Sequence, residues 1–176
     1  MRPVNTHEAG RKTVSANFSG ILPVLTQSQV RFILVGGIAA IVHGLARLTY
    51  DVDVVYARDE ENIRGLAAAL RPYHPYLRGA PPGLPFRWDE ATIQAGLNFT
   101  LTTTLGDLDL LGEITGGGSY GELRPFSEEV QVFGLPCRVV TLEKLIQLKR
   151  AAGRVKDLET IAELQALLEE RRRMEG

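Results

Sequence analysis

The stretch RFILVGGIAAIVHGLARLTYDVDVVY, residues 31–56, decides how the rest of the chain is read. Arg31–Val35 reads as a short apolar strand and Gly36-Gly37 as the turn after it. Ile38–His43 reads as a helix of small and apolar residues closed by Gly44, and a second strand carries Asp51 and Asp53 one residue apart. Side chains alternate faces along a strand, so the two aspartates share a face while the flanking valines meet apolar neighbours. Two carboxylates side by side repel each other. A divalent cation is the usual resolution, and hard oxygen ligands suit magnesium best. The backbone N–H groups of Gly36-Gly37, at the positive end of the following helix, suit an anion such as phosphate.

With 176 residues, 44% of them hydrophobic and 23% charged, the chain is sized for one soluble domain with a real core. A net charge of -1 gives no global nucleic-acid signature, though it leaves room for a local basic surface. The lone Cys137 excludes an internal disulfide and fits a reducing cytoplasm, where it reads as a buried strand residue. No apolar run reaches bilayer-spanning length, and the N-terminal residues lack the apolar core of a signal peptide.

Residues 1–17 are expected to be loose. Phe18–Gln29 reads as a short helix broken near Pro23. Asp59 is placed to cap a helix through Leu70, and the proline- and aromatic-rich stretch 71–88 reads as a long ordered loop. Arg78 and Arg87 within it are alternatively cations on a lid over a triphosphate. Leu97–Thr104 alternates as a half-buried strand, with Leu97, Phe99 and Leu101 on one face. Leu108–Ile114 follows as its antiparallel partner. The glycine-rich TGGGSYG, residues 115–121, reads as a flexible loop, and Val130–Phe133 with Pro136–Val140 as a small hairpin. Thr141 caps a helix that Gly153 ends, and Asp157–Arg173 forms a last helix whose Arg171–Arg173 end suits its dipole. His43 is read as a structural hydrogen-bonder. Arg47 and Thr49, in the pattern Arg-x-Thr-x-Asp-x-Asp, lie on the approach to the aspartates, where Arg47 can pair with a carboxylate or with phosphate.

The run Val35-Gly36-Gly37, thirteen intervening residues, then Asp51-Val52-Asp53-Val54 resembles the signature of the minimal nucleotidyltransferase superfamily, the DNA polymerase beta-like fold. The resemblance implies an α+β chain: a mixed or antiparallel nucleotidyltransferase sheet flanked by helices over residues 18–140, with a C-terminal helical pair at 141–176. It also implies a third carboxylate on a later strand beside the Asp-x-Asp strand. Asp109, between two leucines, is the best candidate, because a carboxylate in such a setting is costly unless paired or metal-bound. Asp107 shares its face, and Glu113 is the next choice. Asp51, Asp53 and Asp109 would then hold Mg2+ or Mn2+.

The segment VVTLEKLIQLKRAAGRVKDLETI, residues 139–161, resembles the later motifs of the AbiEii-like toxin-type nucleotidyltransferases, a Leu-Glu…Lys helix followed by Arg-x-Lys-Asp. This resemblance implies that Lys149 contacts nucleotide phosphates and that Lys156 and Asp157 line the site, with Asp157 a base for the attacking hydroxyl. The expected function is Mg-dependent transfer of NMP from an NTP to a hydroxyl of tRNA, another nucleic acid or a protein, in the cytoplasm, as the toxin of a toxin–antitoxin pair with an antitoxin partner. The alternative is a catalytically degenerate nucleotide-binding module of the same fold. It draws on Ile38, which stands where the family often has a serine, and on Glu159-Thr160, which stand where the last motif often continues to a second aspartate.

Overall fold

A computed structural model describes residues 20–176; the loose segment expected at 1–17 lies outside them, as do Phe18 and Ser19. The first described element, α1 (residues 20–27), places Ile21, Leu22 and Leu25 in the core. It is helical straight through Pro23, without the expected break there.

The apolar run after it forms β1 (Phe32–Val35), buried along its whole length. Next come α2 (Gly36–Val42), β2 (Asp51–Tyr56) and α3 (Glu60–Leu70). Val52, Val54 and Val55 are fully buried, which fixes β2 in the middle of a sheet. The remaining strands are β3 (Tyr76–Leu77), β4 (Asn98–Thr103), β5 (Gly106–Leu111), β6 (Glu113–Ile114), β7 (Gly118–Ser119), β8 (Ser127–Val132) and β9 (Leu135–Val140). Seven of them form one sheet in the order β3-β4-β5-β2-β1-β9-β8. The β2–β5 and β1–β9 pairs are parallel and the other four antiparallel, so the fold is mixed α+β as expected. Short helices α4 (Glu90–Ala95) and α5 (Tyr120–Leu123) lie in connections, and α6 (Leu142–Ala152) and α7 (Leu158–Glu175) close the chain.

Three local expectations change. Leu97 is 39% exposed and precedes β4, so only Phe99 and Leu101 of the expected trio are buried. The expected strand 108–114 is cut at Gly112, whose N–H donates to the Leu97 carbonyl and to Asn98 Oδ1. A Cβ there would sit 2.6 Å from Leu97 Cδ1, so the chain can pass only as glycine, and Glu113 and Ile114 leave to pair with β7. Residues 115–121 accordingly form a hairpin arm and a capped helix start rather than an open loop. Ser119 and Glu122 make a reciprocal capping box.

The expected caps are present. Asp59 accepts from the Asn62 N–H, Thr141 accepts from the Lys144 N–H, and Gly153 ends α6 in the left-handed region at φ 64°. Behind the first of these sits Asn62, buried on α3. Its Oδ1 accepts from the Arg31 N–H at 2.7 Å, and its Nδ2 donates to the carbonyls of Arg31 and Ala57 at 3.1 and 2.7 Å. One amide thereby ties the entry of β1 to the exit of β2, the two strands that frame the glycine turn. Truncation would strip the Arg31 N–H and the Ala57 carbonyl of this partner, while the Arg31 carbonyl keeps the Ala57 N–H at 3.2 Å. Asn62→Ala is expected to destabilise the fold by about 2–4 kcal/mol, read as a lower urea midpoint with an unchanged slope; a midpoint within error of wild type would remove Asn62 from this role.

Candidate active site

Alternation along β2 and β5 puts four aspartates on one face of the sheet. The parallel register pairs Asp51 with Asp107 and Asp53 with Asp109, and β4 continues the rows with Thr102 and Thr100. Gly36 carries Asp53 at its back. A Cβ at Gly36 would lie 2.1 Å from Asp53 Oδ2, and φ there is +65°, so both space and backbone demand glycine. Gly37 is held to glycine by the next side chain along, because a Cβ would meet Thr49 Oγ1 at 2.7 Å. The glycine pair is thus dictated by how closely the Asp-x-Asp strand and its approach pack on the turn.

Asp53 is the electrostatically stressed member. Burial raises its pKa to about 7, and the hydrogen bond to Asp109 and the charges of Asp109 and Asp51 push the same way, while Lys149 opposes them. The Asp53 carboxyl therefore holds its proton well above the usual carboxylate range. Hard oxygen donors stand side by side with too little positive charge among them, a donor set whose chemistry fits Mg2+ or Mn2+. Among the described residues no group of three or more carboxylate, imidazole or thiol side chains is already gathered for a metal ion.

A cavity of about 280 Å³ opens beside Asp53 and Asp109. Gly36 lines it on the turn side, Leu111, Ile114, Leu145 and Leu148 give it an apolar wall, and Lys149 and Arg154 supply cations. Lys149 is buried on α6 with its Nζ 3.6 Å from Asp157 Oδ1. Asp157 Oδ2 accepts from Arg154 Nε at 2.6 Å. Burial disfavours the ionised Asp157, but the Arg154 hydrogen bond and the Lys149 charge outweigh it and hold this carboxyl below the usual range.

The other candidates are placed as follows. Asp51 is on the carboxylate face but does not line the cavity. Arg47 pairs with Glu163 on α7 at 3.0 Å, a carboxylate distant in sequence. Thr49 packs on Gly37 and its hydroxyl donates to the Asp51 carbonyl at 3.4 Å. Lys156 is exposed and does not line the cavity, and Asp157 stands behind Lys149 rather than on the lining. His43 is buried with Nε2 2.7 Å from the Val140 carbonyl, and Arg171 donates to its backbone carbonyl at 2.7 Å, a structural role for both.

Two residues lie outside the sequence-based site. Arg78, just past β3, reaches Asp109 at 2.9 Å, Asp107 at 3.3 Å and Asp51 at 3.6 Å. Its place follows from cross-strand register: its backbone N–H donates to the Thr100 carbonyl, and Thr100 is opposite Asp109. Arg154 opens the Arg-x-Lys-Asp run and lines the cavity where Lys156 does not. Its position in that run was the available signal.

No family model matches the sequence, and no curated protein is similar to it in sequence. Solved structures do match. A nucleotidyltransferase-annotated protein of Thermotoga maritima superimposes with a TM-score of 0.52 at 15% identity, covering 93% of this chain and 96% of that one. The lincosamide antibiotic adenylyltransferase LnuA, with lincomycin bound, gives 0.57 at 15% identity over 86% and 96%. ANT(2'')-Ia in complex with adenylyl-2''-tobramycin gives 0.51 at 14% identity over 90% and 97%. These similarities span nearly the whole of each chain, and the architecture of this protein is the nucleotidyltransferase fold.

Proposed function

We propose that this chain transfers a nucleoside monophosphate from an NTP to a hydroxyl acceptor, with a divalent cation bound by Asp51, Asp53 and Asp109. The observation that carries this reading is the in-register Asp53–Asp109 pair against Gly36, opening on a cavity with Lys149 and Arg154. The acceptor oxygen attacks the α-phosphorus, the bond from that phosphorus to the bridging oxygen breaks, and pyrophosphate leaves with the electron pair. Asp109 takes the hydroxyl proton. Lys149 and Arg154 face the charge that develops on the phosphate oxygens, and the N–H groups of Gly36 and Gly37 orient the polyphosphate. Asp157 pairs with Lys149 and aims it, a positioning role in place of the base role implied by motif resemblance. A cation held by Asp51, Asp53 and Asp109 would supply Lewis acidity, compensating phosphate charge and making the attacking hydroxyl easier to deprotonate.

The acceptor follows from less. LnuA and ANT(2'')-Ia carry small hydroxylated antibiotics in their structures, so small hydroxylated molecules join tRNA and protein hydroxyls as acceptor classes. The toxin–antitoxin assignment, with its antitoxin partner, rests on the Lys149–Asp157 motif alone. A second reading, a nucleotide-binding module without turnover, draws on Arg78, which already neutralises part of the carboxylate face, and on Ile38 in place of a hydroxyl residue.

Purified protein given each α-labelled NTP with Mg2+ or Mn2+ is expected to transfer label to one acceptor class and release pyrophosphate. Asp53→Asn should slow transfer at least about a hundredfold. Label transfer unaffected by Asp53→Asn would sink the assignment, and metal-dependent nucleotide binding without transfer to any acceptor would favour the second reading.

Protons compete with the cation for Asp53, whose pKa is raised to about 7. Mn2+ affinity is therefore expected to climb through pH 6–7 and level off above, by calorimetry; a flat profile over pH 5.5–8 would contradict the Asp53 assignment. The sign for folding is opposite. The native state holds its proton on Asp53 to higher pH than the unfolded chain, whose Asp titrates near 3.8, so this group costs stability as pH rises from about 4 through 7. Metal-free Asp53→Asn is expected to gain in Tm over wild type more at pH 8 than at pH 5.

A further inference from the structure

Among the described residues, Arg78 is the one cation that forms ion pairs with any of the four carboxylates of the β2–β5 face. It divides itself among three of them and leaves out Asp53, the one that lines the cavity at the glycine turn. The fit is incomplete. Arg78 Nε is buried and lies 3.3 Å from Asp107 Oδ2, yet no acceptor is aligned with its N–H. A guanidinium has five N–H donors in a rigid fork that suits bidentate pairing, and here the fork is spread over three separate carboxylates.

Its anchorage is light on one side. Arg78 follows the two-residue edge strand β3 and donates from Nη2 to the Leu101 carbonyl at 2.8 Å. The chain beyond it runs through Gly79 and Gly83, both at positive φ with open space around them, and Pro81–Pro85 is exposed. That segment is held by Tyr76, whose hydroxyl donates to the Pro81 carbonyl at 2.6 Å, whereas the guanidinium itself is held by the Leu101 carbonyl and the carboxylates it would exchange.

We propose that Arg78 is a resident counter-cation of the carboxylate face, which leaves Asp51 and Asp109 when a divalent cation enters together with a polyphosphate and then pairs with the polyphosphate oxygens. This rests on the nucleotidyltransferase reading. It follows from charge. Arg78 displaced by a bare cation loses its carboxylates and faces a new positive neighbour. Arg78 displaced by a cation that carries a polyphosphate exchanges carboxylate oxygens for phosphate oxygens, an equally strong class of partner. Metal alone therefore binds weakly, and metal with nucleotide binds as a unit.

The test uses the full chain and two titrations. Arg78→Met keeps the apolar stem and removes the charge. Mn2+ alone, followed by paramagnetic resonance, is expected to bind Arg78→Met about tenfold tighter than wild type, the size of effect one adjacent charge has on a carboxylate. A non-hydrolysable NTP analogue with saturating Mg2+, followed by calorimetry, is expected to bind it about tenfold weaker. A merely structural arginine would weaken both ligands together, and that result, or no change in either, overturns the proposal while leaving the nucleotidyltransferase reading intact. Absence of Mn2+ and nucleotide binding by wild type overturns that reading and this one with it. Should Arg78→Met fold poorly by thermal melting, Arg78→Lys takes its place. It keeps one charge without the fork, and both of its shifts are expected in the same directions and smaller.

Discussion

Like charge held in register is the constraint on which this structure turns. Parallel pairing of β2 with β5 puts Asp53 beside Asp109 and Asp51 beside Asp107, and no rotamer choice separates neighbours across one strand spacing. Everything near them answers that repulsion. Gly36 gives Asp53 room at its back, and Asp53 keeps a proton to about pH 7. Arg78 spans three of the four carboxylates, and Thr100 and Thr102 extend the rows with side chains that add no charge. The valines and leucines on the opposite face of the same strands fix the register in turn. Slipping either strand by one residue would put carboxylates into the core and valines into the cavity.

The C-terminal helices complete the site through long-range contacts. Lys149 is buried on α6 and paired with Asp157, which is itself held by Arg154. A buried ammonium is costly without an opposite charge, and Asp157 supplies one at 3.6 Å. The far side of α7 is tied down by Arg47–Glu163 and by Arg171 on the His43 carbonyl. Both ties reach the segment between the glycine turn and the Asp-x-Asp strand, so the helix that supports Lys149 is braced against the residues that set the carboxylates.

Legibility in the sequence followed contact range. The strand, glycine turn and aspartate pair lie within 26 residues and are read from local pattern. Asp109 stands out because the resemblance implies a third carboxylate on a later strand, and a carboxylate between leucines is costly without a partner. The caps at Asp59, Thr141 and Gly153 are local by nature and stood where their residue types indicated. What escaped depends on pairs distant in the chain. Arg78 reads from sequence only as an alternative lid cation, and its place over Asp109 was hidden because the one strand in its proline-rich stretch is two residues long and its register exists only through β4. Arg47 meets Glu163 across 116 positions. Gly112 breaks a strand because Leu97 occupies the space where a side chain would go. Helix α4 was missed for a different reason: six residues carry too little periodicity to register, although its Asp89 cap is of the expected kind.

The balance of charge bears on why such a face persists at all. Four carboxylates set against a single guanidinium leave the face strongly negative. Valine or threonine at any of these positions would give the same sheet with less repulsion, because β-branched residues suit a half-buried strand and bring no charge. The surrounding structure adds cost rather than removing it: Gly36 and Gly37 are conformationally expensive residues kept where Asp53 and Thr49 press on the turn. Burial of Asp53 could be relieved by asparagine without loss of shape. A purely structural role explains none of these choices, since each is inferior for stability. The proposed occupancy by a cation of higher charge density than arginine, bound with anions that Lys149, Arg154 and a displaced Arg78 would hold, accounts for them together.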